Sequence, residues 1–144
     1  MTDQTLTLRI TLVAPPANTF FSLQDNHDAL IDLRVSDGGD LTFDVPVRFV
    51  EDAKGVRFLG PFVRNQGGRR FVYYCSGVVA GQAHPTLSRR GKIWFEDLPV
   101  ELAREAAVSG RVLHATFPGK AKDGGASCAT VHPLERWRLL APGA

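Results

Sequence analysis

The sequence of residues 6–12 is Leu-Thr-Leu-Arg-Ile-Thr-Leu, and this stretch decides the fold class. Every second side chain is apolar, and the side chains between them are threonine or arginine. This period of two is typical of a β-strand that has one face on a core and one face in water. Pro15 and Pro16 end the pattern, because proline has no N–H group for a strand ladder. The segment therefore predicts a mainly β fold.

Further segments with the composition of strands follow along the chain, separated by turns that are rich in glycine, asparagine and aspartate. They are residues 20–24, 29–35, 41–50, 56–59, 69–80, 92–96, 111–117, 128–131 and 136–140. Residues 69–80 are apolar on both faces, which predicts a central strand. We expect residues 29–35 and 41–50 to form a hairpin around the turn Asp37-Gly38-Gly39-Asp40.

One helix is predicted, over residues 98–109. Pro99 suits its first turn, Glu101 favours the positive end of the helix dipole, and Gly110 is placed to end it. Leu98, Leu102, Ala103, Ala106 and Ala107 form its apolar stripe. The sequence thus predicts a single domain over residues 1–144, with an ordered core over residues 6–140. Its architecture is a predominantly antiparallel β-sandwich or partly open β-barrel of about seven strands with one short helix.

The charges of the 144-residue chain are unevenly distributed, although the net charge is only +2. Residues 1–55 contain 4 Lys/Arg and 9 Asp/Glu, whereas residues 56–144 contain 13 Lys/Arg and 6 Asp/Glu. We expect either that the two halves face each other or that the basic half presents a surface to a partner. The chain has no predicted signal peptide or membrane span, and its two cysteines are widely separated. These features predict a cytoplasmic protein with reduced thiols.

A basic, glycine-rich loop is the leading candidate site. The sequence of residues 120–128 is Lys-Ala-Lys-Asp-Gly-Gly-Ala-Ser-Cys, and a second basic cluster occupies residues 88–92. Backbone N–H groups of a glycine turn can form an anion-binding nest, and arginine offers a planar fork of donors. The sequence therefore favours a non-enzymatic β module that binds a small anionic ligand or an acidic peptide. The predicted site residues are Gln82, Arg89, Arg90, Lys120, Lys122, Asp123, Gly124 and Gly125.

Two other hypotheses stay open. The first is a cysteine-dependent hydrolase or acyl transferase with Cys128 as nucleophile and His132 or His114 as base, the amides of Gly124 and Gly125 serving as oxyanion donors. The second is a protein-interaction or oligomerisation module in which the acidic and basic halves of two chains meet. The structural alternatives are a solvated polar turn at residues 120–128 and buried cysteines in strands.

Several function classes find no support in the sequence. No glycine-rich phosphate motif is present, and the four histidines do not have the spacing of a zinc site, so no metal or other cofactor is predicted. Nucleic-acid binding is disfavoured because no recognition motif accompanies the sequence pI of about 8.7. Asp44 and Glu51 show no partner in the sequence.

Seven phrases of the sequence together resemble a family of small bacterial proteins classed only as a domain of unknown function. They are residues 8–16, 38–44, 58–63, 70–73, 80–82, 88–93 and 122–131. The likeness covers most of residues 6–138. It implies a bacterial, single-domain protein, and it supplies no activity, substrate or catalytic residue.

The cysteine hypothesis predicts that Cys128 reacts with a thiol reagent faster than a model thiol at neutral pH, because nearby cations and amides would favour the thiolate. The measurement is the labelling rate of the Cys75→Ala variant, in which Cys128 is the remaining cysteine. A rate equal to that of the model thiol would contradict an activated nucleophile.

Overall fold

A computed structural model shows two β-sheets packed face to face. It describes residues 2–25, 29–53, 55–59, 71–78, 88–119 and 130–143. The strands are β1 (Thr2–Val13), β2 (Thr19–Asp25), β3 (Leu30–Ser36), β4 (Leu41–Asp52), β5 (Gly55–Leu59), β6 (Phe71–Val78), β7 (Ser88–Trp94), β8 (Leu113–Pro118) and β9 (Arg138–Leu139). One turn of 3-10 helix, Phe95–Asp97, precedes the single α-helix of the described chain, α1 (Val100–Ser109).

The strands form a five-stranded sheet A, in the order β5-β4-β1-β8-β9, and a four-stranded sheet B, in the order β3-β2-β6-β7. Strand pairs are antiparallel except for β1 and β8, which run parallel. Neither sheet closes on itself among the described strands. The predicted mainly β sandwich is therefore confirmed, with nine described strands instead of about seven. The predicted central position of residues 69–80 is also confirmed, because β6 lies between β2 and β7.

The core lies between the two sheets, as the alternation in residues 6–12 requires. β1 and β4 contribute a continuous apolar surface in sheet A, and β2 and β6 contribute the facing surface in sheet B. The fully buried side chains of β1 and β4 are Leu8, Ile10, Leu12, Phe43, Val45 and Val47. The threonines and arginine between them, Thr7, Arg9 and Thr11, point to the opposite, outer face of sheet A.

The predicted hairpin of residues 29–35 and 41–50 is wrong. β3 pairs with β2 in sheet B, whereas β4 pairs with β1 in sheet A, so the turn at residues 37–40 carries the chain from one sheet to the other. The turn chemistry itself is as expected, since Gly38 has a φ of 99° and the Gly39 N–H donates to Asp37 Oδ1. The long apolar face of β4 decides the pairing, because it matches β1 in register from Leu41 to Val47.

The helix and the strand before it differ slightly from the prediction. The strand predicted over residues 92–96 covers Ser88–Trp94, and Phe95–Asp97 turns as a 3-10 helix. α1 then begins after Pro99 and ends at Gly110, which adopts the predicted left-handed conformation at φ 74°. Of its predicted apolar stripe, Ala103 and Ala106 are fully buried. No helix of the described chain is long and apolar enough to cross a membrane.

The acidic and basic halves of the sequence are interleaved in space. Sheet A joins β1 and β4 from the acidic half to β8 and β9 from the basic half, and sheet B joins β2 and β3 to β6 and β7. Glu51 on β4 accepts hydrogen bonds from Arg104 on α1, at 3.1 and 3.2 Å from its Nε, and these bonds lower the pKa of Glu51. Among the described strands, the two halves therefore neither face each other as separate blocks nor form opposite faces.

Tyr74 joins the two sheets at one end of the sandwich. It lies on β6 in sheet B, and its hydroxyl donates a 3.0 Å hydrogen bond to the carbonyl of Pro118 at the end of β8 in sheet A. Its ring covers Gly91, its partner on β7. A Cβ at Gly91 would lie 2.6 Å from the Tyr74 ring and would also collide with Val131. Glycine at position 91 thus leaves the space that the tyrosine needs.

We expect Gly91→Ala to destabilise the fold by about 1–3 kcal/mol, the usual cost of overpacking a core. Urea denaturation monitored by circular dichroism measures the loss in free energy of unfolding. Val108→Ala is the matched control, because Val108 is 73% exposed on α1 and its truncation should change stability by less than about 0.5 kcal/mol. Equal stability of the two variants would contradict the packing argument.

Candidate functional site

The predicted ligand loop, residues 120–128, lies outside the described residues, but the structure defines both of its attachment points. Gly119 precedes the loop, and its N–H donates to the carbonyl of Val13 at 3.1 Å. A Cβ at Gly119 would lie 2.7 Å from the nitrogen of Pro15, so a larger residue would force the strands apart. The chain therefore leaves sheet A at a fixed point beside the end of β1.

The chain returns against sheet B, beside the second basic cluster. Thr130 forms a parallel bridge with Lys92 of β7, and the Val131 N–H donates to the Lys92 carbonyl at 2.8 Å. The indole Nε1–H of Trp94 donates to Thr130 Oγ1 at 2.9 Å. Thr130 and Val131, which follow the 120–128 loop in the sequence, thus lie against Lys92 of the second basic cluster.

A cleft of about 120 Å³ opens at this junction. Its walls are largely aromatic and aliphatic, with one imidazole and one carboxylate. The lining residues are Ile93, Trp94, Asp97, Phe117, Val131, His132, Pro133 and Trp137. Phe117 and Trp137 meet edge to face, with ring centroids 5.8 Å apart. The cleft is small beside the roughly 300–1,000 Å³ of sites for drug-sized ligands, so it fits a single side chain or a compact ligand group.

Lys92 connects the cleft to the outer face of sheet B. Its Nζ lies 5.0 Å from the centroid of the Trp94 ring, a wall of the cleft, and 4.6 Å from that of Phe71. The two rings pack edge to face with centroids 4.8 Å apart. An ammonium over two aromatic faces is held by cation–π attraction, so a positive charge is fixed beside the cleft.

Two of the predicted ligand-binding residues lie within the described chain. Arg89 and Arg90 are both on β7, and Arg90 Nε donates to Ser76 Oγ on β6 at 2.7 Å. The structure describes the guanidinium of Arg90 but not that of Arg89. The other predicted site residues lie outside the described residues; they are Gln82, Lys120, Lys122, Asp123, Gly124 and Gly125.

The two histidines of the cysteine hypothesis lie in different parts of the fold. Cys128 lies outside the described residues, whereas His132 is exposed and lines the cleft together with Asp97. His114, the other proposed base, lies on β8 and shares a hydrogen bond with Thr11 on β1. Cys75 is buried on β6, in agreement with its interpretation as a core cysteine.

A row of polar side chains crosses the outer face of sheet A. The strand register places Arg9 opposite Asp44 on one side and His114 on the other, with Arg138 next to His114. Arg9 binds Asp44 through two hydrogen bonds, at 2.8 and 3.1 Å. Thr11 Oγ1 lies 3.0 Å from both Thr42 Oγ1 and His114 Nε2. Asp44 and Glu51, which showed no partner in the sequence, therefore each pair with an arginine.

His114 is the histidine of this row, and its pKa is lowered. Burial lowers its pKa first, and the positive charges of Arg138 and Arg9 lower it further. Glu135 and Asp44 act in the opposite direction but do not outweigh these effects. The imidazole is accordingly neutral at pH 7, and its Nε2 shares a hydrogen bond with a threonine hydroxyl.

Comparison with known proteins places this chain in a family. Residues 6–140 match the model of a family described as "Family of unknown function (DUF5990)". The chain belongs to the DUF5990 family. The resemblance found in the sequence to a family without assigned function is thereby confirmed. No curated protein and no solved structure matches the chain.

Sequence reasoning missed part of the site in this DUF5990 chain. Trp94 and Trp137 lie in two separate predicted strands, and Asp97 directly precedes the predicted helix, so the sequence does not predict their shared cleft. The polar row was equally hidden, although one signal was present. Arg9, Asp44 and His114 all occupy outward positions of alternating strands, and only the register between distant strands brings them together.

For this DUF5990 protein we expect stability to fall as the pH drops below about 6.5, the ordinary histidine value. The folded pKa of His114 is lower, so between the two values the unfolded chain binds more protons than the folded chain and is favoured. Above pH 6.5 His114 is neutral in both the folded and the unfolded chain, so it causes no loss of stability there. Melting temperatures measured from pH 5 to pH 8 should show a smaller acid loss for His114→Gln.

Arg138→Gln is the second variant of this experiment, because removing its charge raises the pKa of His114 and should also weaken the acid loss. Arg136→Gln is the matched control, since this exposed arginine is not among the groups that shift His114. An unchanged pH profile in both His114→Gln and Arg138→Gln would contradict the assignment.

Proposed function

We propose that this protein is a non-enzymatic β-sandwich module that binds a carboxylate-bearing ligand at the cleft beside β7. The ligand is either a small acid with an apolar body or a side chain of an acidic peptide. The observation that carries the proposal is the junction of Lys92 with Thr130 and Val131, which places the chain shortly after the 120–128 loop against β7 beside a cleft with aromatic walls.

Each part of the junction has a chemical role in this proposal. Trp94 and Trp137 offer apolar surface to the body of the ligand, and burial of that surface favours binding. His132 lines the cleft and would donate a hydrogen bond to the acidic group, and Lys92, whose Nζ lies over the Trp94 ring beside the cleft, would supply the positive charge. Asp97 disfavours a ligand that is negative throughout, so the charge of the ligand must lie at one end.

The attachment of the 120–129 segment supports the same proposal. Its ends are held at Gly119 and Thr130 by backbone and side-chain hydrogen bonds. A basic, glycine-rich segment between two fixed points of a β scaffold is a common location for a binding site. Lys120, Lys122 and the Gly124–Gly125 turn remain the residues that we propose to complete the site.

A second candidate function, a cysteine-dependent enzyme, is favoured by one observation. His132 and Asp97 line the same cleft, and Cys128 is four residues before His132 in the sequence. A nucleophile, a base and an orienting carboxylate are the groups that such catalysis needs. The labelling rate of Cys128 distinguishes this candidate from the binding module.

We also propose a bacterial source and a cytoplasmic location. The buried thiol of Cys75, which forms no disulfide, supports the cytoplasmic location.

The intrinsic fluorescence of the protein tests the binding proposal directly, because both of its tryptophans line the cleft. We expect benzoate to change the tryptophan emission in a saturable titration. Benzyl alcohol has the same ring without the charge, and inorganic phosphate has charge without the ring, so both should bind at least about tenfold more weakly. Equal responses to benzoate and benzyl alcohol would contradict a role for the basic groups.

Two variants locate the site in the same titration. Lys92→Met and His132→Ala should each weaken benzoate binding by about tenfold, the usual effect of losing one interaction with a charged group, here the benzoate carboxylate. Arg136→Gln is the control, because this exposed arginine does not line the cleft. A loss of affinity in the control as large as in the two variants would indicate a general charge effect.

A further inference from the structure

β3 presents an apolar strand edge to solvent. It lies at the end of sheet B, and among the described strands only β2 pairs with it. Leu30, Leu33 and Val35 are 53%, 48% and 50% exposed. Leu33 and Val35 share the outer face of sheet B, opposite Ser22 and Phe20 of β2. An exposed edge with apolar side chains is a template for pairing with another strand.

The backbone of β3 directs hydrogen-bonding groups to this edge. The carbonyl of Ser36 accepts a 3.0 Å hydrogen bond from the Asn18 N–H, so the backbone groups of Ser36 face the β2 side. Successive residues of a strand direct their backbone N–H and C=O groups to alternate sides. The backbone groups of Val35 and Leu33 therefore face away from β2. The Leu33 N–H donates instead to the carboxylate of the preceding Asp32, at 2.8 Å.

The charges of β3 are self-complementary about Leu33. Asp32 precedes this residue and Arg34 follows it, and Arg34 Nε lies 3.1 Å from Asp32 Oδ2. Two copies of the strand, paired antiparallel about Leu33, would place Asp32 of each copy opposite Arg34 of the other. Opposite charges at directly facing positions of a strand pair stabilise it, and like charges destabilise it. The carboxylate that covers the Leu33 N–H would move to the arginine of the partner and free that N–H for the partner's carbonyl.

We propose that β3 is a homodimerisation strand, which pairs antiparallel with β3 of a second copy of this chain in a register centred on Leu33. The two four-stranded sheets then form one eight-stranded sheet with a two-fold axis at Leu33. In this register the exposed side chain of Leu33 lies opposite Leu33 of the second copy, and Val35 lies opposite Ile31 of the second copy, with its Leu33 as the diagonal neighbour. The same patch on both subunits is what a two-fold symmetric dimer requires.

This dimer is independent of the proposed ligand site. β3 and β7 are the opposite edges of sheet B, so pairing at β3 leaves the cleft beside β7 accessible in both subunits. Failure of benzoate to bind would therefore leave the dimer proposal intact, and failure to dimerise would leave the ligand proposal intact.

Sedimentation velocity of the full chain tests the proposal, with concentrations up to about 1 mM to include weak association. We expect a concentration-dependent monomer–dimer equilibrium for the natural sequence. Asp32→Arg places arginines opposite each other, and Arg34→Asp places aspartates opposite each other, so each variant alone should remain monomeric over the same range. Both side chains are partly exposed, but Arg34→Asp also removes the 2.7 Å hydrogen bond from Arg34 Nη1 to the Thr42 carbonyl, so circular dichroism of each variant checks its fold before sedimentation.

An equimolar mixture of the two variants gives the decisive result. In the mixed pair both facing positions again carry opposite charges, so the mixture should dimerise although neither variant does so alone. Lys92→Met serves as the control, because it lies on the other edge of sheet B and should dimerise normally. In the dimer the amides of Leu33 and Val35 should be protected from hydrogen exchange.

Three results would overturn the proposal. The first is a natural chain that remains monomeric up to about 1 mM. The second is a dimer that persists in each single variant, which would locate the interface elsewhere. The third is a mixture that stays monomeric, which would exclude this register. If the first result is found together with protected Leu33 and Val35 amides, another segment of the chain covers the edge of β3.

Discussion

The hydroxyl of Tyr74 spans the gap between the two sheets, and the arrangement of the sandwich end depends on it. The tyrosine hydroxyl on β6 donates a hydrogen bond to the partly buried carbonyl of Pro118 on β8. The ring can lie there because Gly91 has no side chain beneath it. The Tyr74–Pro118 hydrogen bond and the absence of a side chain at Gly91 thereby fix how the ends of the two sheets pack against each other.

The same arrangement positions the junction beside β7. Pro118 and Gly119 are the last described residues before the basic loop, and Val131, which also packs over Gly91, is among the first after it. The groups that hold the sheets together are therefore the groups that hold the two ends of the loop. The cleft between Trp94 and Trp137 results from this geometry, since a strand edge, a loop end and the start of a helical segment meet there.

Much of the fold could be predicted from local patterns, because each pattern reports the environment of its own segment. The alternation in residues 6–12, the two apolar faces of residues 71–78 and the glycine at position 110 all correspond to observed features. The partner of a strand is a property of two distant segments. The Gly38 turn has the chemistry of a hairpin, yet β4 pairs with β1, because their apolar faces match over a longer register. The pairing of Arg9 with Asp44 and of Glu51 with Arg104 was invisible for the same reason.

The candidate site was predicted only in outline. Sequence proximity identified the basic segments but gave no indication that residues 92 and 130 form a bridge, or that two tryptophans 43 positions apart line one cleft. The charge imbalance between the halves of the chain suggested two separate surfaces. The described strands of the two halves are interleaved, so the proposed site depends on individual cations such as Lys92.

The parallel pairing of β1 with β8 has a consequence for how the protein is made. β1 is synthesised well before its partner β8, because Leu8 pairs with Leu113, more than 100 residues later in the chain. Contacts between distant parts of a chain slow folding, because a long loop must close before they form. On the ribosome, one side of β1 therefore stays unpaired until β8 has been synthesised. During that interval its apolar face and open edge are exposed to aggregation, so expression at lower temperature or with chaperones should increase the yield of folded protein.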